Sequence, residues 1–160
     1  MYKKGLLVLL LSVGFISSAS AIDFKIFDMR NKISEESKDI KGLLQKSKDP
    51  VFVTSMFDSC LITMTQLDAY FSMLGIFEAA RNDEATGESV DFLISWLNVI
   101  KDTNSLNIKS LASMSTAKEQ QTKVHAEKMK AYFGELNSRI DIELSKVASI
   151  KKSLKVKPRK

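Results

Sequence analysis

His125 is the only side chain whose ordinary titration falls near neutral pH. Its setting, Thr122-Lys123-Val124-His125-Ala126-Glu127, is polar and predicts a solvated histidine on a helix surface. A lone histidine excludes multi-histidine metal sites, and a lone cysteine, Cys60, excludes a disulfide framework and cysteine metal clusters. Cys60 has Phe57, Leu61 and Met64 as neighbours, which predicts a buried thiol behaving as a small hydrophobe. Exposed in an oxidising compartment, it would instead link two chains. Met56, Met64 and Met73 lie eight and nine residues apart and read as core filler. Asn82 to Gly87 starts like a calcium-binding loop, but the twelfth position is Leu93, where a bidentate Glu is required. The acid pairs Glu35-Glu36 and Asp141/Glu143 have no convergent partner in the sequence and are expected on solvated helix faces. No phosphate-binding glycine loop, G-x-S-x-G elbow or H-E-x-x-H pair occurs. No catalytic residue, metal site or cofactor is predicted from these patterns.

The elements that would position such residues are helical. Six Gly and two Pro in 160 residues are too few for the turns of an all-β fold. Over Asp23–Lys46 the apolar positions Ile26, Phe27, Ile33, Ile40, Leu43 and Leu44 follow helical spacing, with Asp23 or Asp28 as the cap. Asp49-Pro50 then opens a second helix, Asp at the N-cap and Pro at the first position. Between Val51 and Ala80 the only charges are Asp58, Asp68 and Glu78, so this helix is expected to be buried on most sides. Its longest uncharged stretches are nine residues, too short for a bilayer span. Arg81–Glu88 reads as a polar loop. A shorter third helix carries Val90, Leu93, Trp96, Leu97 and Ile100, and Asp102–Ser105 reads as a turn that restarts a helix near Leu106. The last helix repeats Ala126, Phe133, Ile140, Val147 and Leu154 every seven residues, with Met129, Leu136 and Ile150 between them and Glu143 interrupting the row. Upstream it either breaks near Lys118 or continues as an exposed rod. The expected fold is all-α: an up-down antiparallel four-helix bundle with a long, heptad-patterned C-terminal helix.

Residues 1–21 read as a secretory signal peptide. Lys3 and Lys4 precede the uncharged run Gly5–Ile16, and Ala19-Ser20-Ala21 supplies the cleavage site. The expected organisation is a leader (1–21), one helical domain (22–155) and a basic, disordered tail (156–160), with the mature chain periplasmic or secreted. Residues 22–83 carry 8 basic and 10 acidic side chains, whereas 84–160 carry 14 and 9. Lys151, Lys152, Lys155, Lys157, Arg159 and Lys160 form an acid-free run that could contact an anionic membrane surface. Nucleic acid is not expected, since no aromatic residue interleaves with that run.

Three functions compete on this pattern. The first is protein–protein binding or self-assembly, with a protein partner or a second copy meeting apolar side chains such as Phe57, Cys60, Phe71 and Trp96. The second rests on placement. Met29, eighth in the mature chain, and His125, on the last helix, resemble in outline the axial ligands of cytochrome b562-like bundles, and that resemblance implies a haem held between them. The third is a membrane-surface protein acting through the basic tail.

Overall fold

The computed structural model describes residues 24–79 and 86–155. Among them the structure is all-α: α1 (Phe24–Leu43), α2 (Pro50–Ala79), α3 (Thr86–Ser113), a short 3-10 turn (Met114–Thr116) and α4 (Gln120–Lys155). Residues 1–23, 80–85 and 156–160 lie outside the described residues, and with them the expected leader, most of the loop expected at Arg81–Glu88 and the tail.

Each helix contributes one row to a common core. Ile26, Met29, Ile33 and Ile40 come from α1, and Val53, Met56, Cys60, Leu67, Tyr70 and Leu74 from α2. Val90, Leu93, Leu97, Ile100 and Leu111 come from α3, and Ala126, Met129, Phe133, Leu136, Ile140 and Val147 from α4. Full burial of each large apolar side chain contributes about 1.5–3 kcal/mol, so these rows, more than helix propensity, hold the helices in place. Consecutive helices pack on one another and α1 also packs on α4. Arg30 of α1 meets Asp68 of α2, Thr63 of α2 meets Asn104 of α3, Lys101 of α3 meets Asp141 of α4, and Lys32 of α1 meets Glu135 of α4.

Four expectations are corrected. The turn foreseen at Asp102–Ser105 is absent, and α3 runs through it without a break. Its polar residues are used inside the helix: Thr103 and Ser105 donate their hydroxyls to the carbonyls of Val99 and Lys101, one turn back. Asn104 is fully buried, accepts from the Thr63 hydroxyl at 3.1 Å and donates to Oδ1 of Asn137 at 3.1 Å. At the other end of α3, Gly87 and Glu88 belong to the helix and not to the preceding loop. Of the two residues expected to cap α1, Asp28 lies within the helix and Asp23 lies outside the described residues. Finally, α2, expected to be buried on most sides, leaves Val51, Leu61, Ile62 and Ile76 exposed on its outer side.

The chain does break near Lys118, and Asp49 explains how. Pro50 begins α2 as expected, but the Asp49 carboxylate turns to the other chain entry. It accepts the backbone N–H groups of Lys118 (3.1 Å) and Glu119 (2.8 Å), just ahead of α4. Ser47 completes this latch by accepting the Asp49 N–H and donating to Glu119. One carboxylate therefore satisfies two successive backbone donors in the chain entering α4, the second of them at the cap position of the helix. Desolvation acts to raise the Asp49 carboxyl. The Glu119 and Lys118 N–H bonds outweigh it and hold the group below the ordinary carboxylate range.

A native carboxyl held low stabilises the fold at neutral pH, and that contribution is lost as pH falls through and below the ordinary carboxylate range. Asp49→Asn is expected to lower the thermal midpoint at pH 7 and to flatten its acid dependence, measured by circular dichroism melts across pH. Asn104→Ala should cost about 2 kcal/mol in urea denaturation, because it strands Thr63 and Asn137 inside the core.

Candidate functional site

Two features of the molecule hold side chains that packing alone does not explain. One is a buried charged centre between α1 and α4, and the other is an exposed apolar face along α2 and α3.

Glu36 occupies the core row of α1, three residues after Ile33 and four before Ile40, and is 2% exposed. The imidazole N–H at Nδ1 of His125 donates to its Oε1 at 2.5 Å, and the Lys128 ammonium pairs with Oε2. Three residues apart on α4, the two donors present themselves to the same carboxylate. Hydrogen bonding to Glu36 raises the Lys128 ammonium above its ordinary value. His125 is thus not the solvated surface residue its polar flanks suggested, since its side chain is only 13% exposed. Glu36 likewise leaves the solvated face, whereas Glu35 stays there and pairs with Lys38. Glu143 is a second carboxylate drawn inside: it fills the gap in the α4 row and accepts the Tyr70 hydroxyl at 2.8 Å.

A carboxylate that orients an imidazole is half of a nucleophile-activating arrangement, so the nearest thiol matters. Cys60 is fully buried with its Sγ 3.7 Å from Sδ of Met129. Burial, with the charge of Glu36 adding to it, pushes its pKa up to about 12. The thiol stays protonated and inert, as its apolar neighbours predicted. Full burial also removes Cys60 from any partner-facing set and from linking two chains.

Met29 and His125 are not brought together. Met29 is buried on α1, seven residues from the Glu36 that holds His125, which is about 10 Å along the helix. The imidazole Nδ1 is engaged by Glu36, and the groove above Met29 is lined by charges of both signs, among them Lys25, Asp28, Lys32, Glu35 and Arg139. A haem face needs apolar walls and two ligands on one axis. The residues present do not fit that group.

The remaining interaction residues lie at the surface of the core. Phe71 is half-buried and meets the exposed Phe27 edge-on at 5.7 Å, and Phe57 is half-buried on the same helix. Trp96 donates its indole N–H to the Gln66 carbonyl at 2.9 Å and stacks with Phe92 at 6.4 Å. Of the tail set, Lys151 pairs with Asp91 and Lys152 is exposed. The side chain of Lys155 and residues Lys157, Arg159 and Lys160 lie outside the described residues.

Trp96 leads to a feature that the motif search missed. Phe92 (57% exposed), Val99 (44%) and Leu106 (65%) recur every seven residues on α3, outside its core row. Ile62 (49%) and Ile76 (68%) stand on the outer side of α2, with half-buried Met73 between them. At one end Ile76, Met73 and Phe92 line a single open groove. The helix spacing of the five exposed residues was legible, but it belongs to a second apolar row beside the first, and the sequence does not say which row faces inward. Pro50–Phe77 is also long and apolar enough to cross a membrane by length and composition.

Among the described residues, no group of three or more His, Cys, Asp or Glu side chains could hold a metal ion. Compared with known proteins, the chain matches no family model, no curated sequence and no solved structure.

Removing His125 leaves the buried Glu36 carboxylate short of one hydrogen-bond donor. His125→Ala should therefore destabilise the protein by about 2 kcal/mol in urea denaturation. Replacing both residues by Leu should recover most of that loss, because an apolar pair needs no charge compensation. A double variant no more stable than His125→Ala would show that the buried carboxylate does not couple the two helices.

Proposed function

We propose that the chain acts by binding another protein or a second copy of itself, and that it does so as an exported up-down antiparallel four-helix bundle. The observation that carries this reading is the outer α2/α3 face, where Ile62, Ile76, Phe92, Val99 and Leu106 stand in water beside Trp96. An ordered apolar surface of this kind costs free energy while it is bare, and in soluble proteins such surfaces mark contact sites. The opposed sequence order of Phe27–Phe71 and Arg30–Asp68, of Ser59–Asn107 and Thr63–Asn104, and of Asp91–Lys151 and Lys101–Asp141 supports the up-down arrangement. Burial of Ala126, Met129, Phe133, Leu136, Ile140 and Val147 supports a heptad seam in the last helix. Export rests on Lys3, Lys4, the uncharged run Gly5–Ile16 and the Ala19-Ser20-Ala21 site.

The mature protein, beginning at Ile22, is expected to bind a hydrophobic dye in its folded state, or to run larger than a monomer in size exclusion with light scattering. Phe92→Ser with Leu106→Ser should reduce whichever signal is found without lowering helicity. A folded monomer that binds no dye would end this reading. Mass spectrometry of material exported by the producing cell should find residues 1–21 removed.

A further inference from the structure

We infer that the α2/α3 face receives an amphipathic helix whose apolar stripe is flanked by Lys or Arg. The inference rests on the binding function proposed above and adds the chemistry of the partner.

The face is long, narrow and nearly uncharged. Ile62 to Ile76 on α2 and Phe92 to Leu106 on α3 each span fourteen residues, about 21 Å of helix. On α3 Phe92, Trp96, Val99 and Leu106 form a row, and on α2 Ile62 stands at one end and Met73 and Ile76 at the other, with the small Thr65 and Ala69 between. With the groove at Ile76, Met73 and Phe92, this surface matches the apolar stripe of one helix of about four turns. Partner helices dock into such grooves through side chains at positions i, i+3, i+4 and i+7, the spacing that Phe92, Trp96 and Val99 themselves present.

Charge selects among the occupants. From Pro50 to Ala79 there is no basic residue at all. Asp58 is exposed at one end of the face, in a groove with Val51 and Ile62. Glu88 stands at the other end, in the groove with Ile76 and Phe92. Asp102 is exposed between Val99 and Leu106, and Lys109 is the one exposed lysine at a comparable position on α3. Lys101 is turned away to Asp141 of α4, and Asp91 is paired with Lys151. Among the described residues acid therefore exceeds base three to one around the apolar rows, and acids sit at both ends. A second copy docked by two-fold symmetry would bring Asp58 against the partner's Glu88, like charge on like charge. An anionic bilayer would meet the same repulsion. A basic amphipathic helix meets opposite charge at both ends.

Trp96 is the single tryptophan of the chain and sits at the edge of this face, so its fluorescence reports docking directly. The probes are two synthetic helical peptides of about 16 residues, identical in their leucine row, one flanked by lysines and the other by glutamates. Titrated into the mature protein at low salt, the lysine peptide should shift the Trp96 emission and bind about tenfold more tightly than the glutamate peptide. The gap should shrink as salt shortens the screening length. Asp58→Asn with Asp102→Asn, which leaves the apolar rows intact, should narrow the gap. Phe92→Ser with Leu106→Ser should abolish binding of both peptides.

Equal binding of the two peptides would overturn the basic partner while leaving the apolar face as a binding site. Concentration-dependent dimerisation lost in the Phe92→Ser, Leu106→Ser variant would replace the helix with a second copy. Co-sedimentation with phosphatidylserine vesicles, lost in the same variant, would replace it with a membrane. Binding of neither peptide by a protein that still binds dye would overturn the helical partner alone, and loss of dye binding as well would remove the function on which it rests.

Discussion

Between α1 and α4 a carboxylate has been taken almost completely out of water, and a buried charge of that kind is tolerable only where donors meet it. Glu36 finds His125 and Lys128. The same constraint recurs elsewhere in the core: Glu143 finds Tyr70, and Thr63 finds Asn104, which in turn finds Asn137. Glu36, Glu143, Thr63 and Asn104 each sit buried in a row of apolar residues, and each meets a side chain from a different helix. Together they tie α1 to α4, α2 to α4, and α2, α3 and α4 to one another.

Apolar rows alone would not fix how far one helix slides along another. Ile, Leu, Val and Met tolerate volume-conserving exchange at modest cost, and a shift by one turn replaces one apolar contact with another. The polar pairs do not allow that exchange. Sliding α1 by a turn would carry Glu36 away from His125 and leave a carboxylate bare inside the protein, a loss larger than that of most single contacts. The hydrophobic rows supply the bulk of the stabilising free energy, and the buried polar pairs decide which of several similar packings is the stable one.

This division also explains what could be read from the chain and what could not. The helices around Ile33, Leu67 and Phe133 follow from apolar spacing, a local property. The inert thiol follows from the greasy neighbours of Cys60, whereas the stretch without apolar residues near Lys118 fits a break and an exposed rod alike, and the carboxylate of Asp49 decides between them. The main departures concern polar residues in core rows: the identities of Glu36, Glu143, His125 and Asn104 argue for water and their positions argue for the core. Only the facing helix, which the linear sequence does not name, resolves the conflict. The available signal was the spacing itself: Glu36 lies three and four residues from Ile33 and Ile40, as Glu143 does from Ile140 and Val147. A polar residue at such a place predicts a polar partner across the interface.

The outer α2/α3 face is the complementary case, apolar side chains held where polar ones would be cheaper. α2 carries two apolar rows because it is almost free of charge, and a helix in a four-membered ring can turn only one of them inward. The inward row was claimed by Thr63 and Tyr70, whose buried partners Asn104 and Glu143 lie on α3 and α4. The second row was thereby left outside, beside Phe92, Val99 and Leu106 of α3. The pairs that fix the packing therefore also determine which surface is left bare, and the rotation of α2 that completes the core is the one that leaves Ile62 and Ile76 exposed. A rotation that hid those two side chains would have to bury Asp58 or release Tyr70 from Glu143. The exposed face and the polar core are consequences of the same placement of one helix.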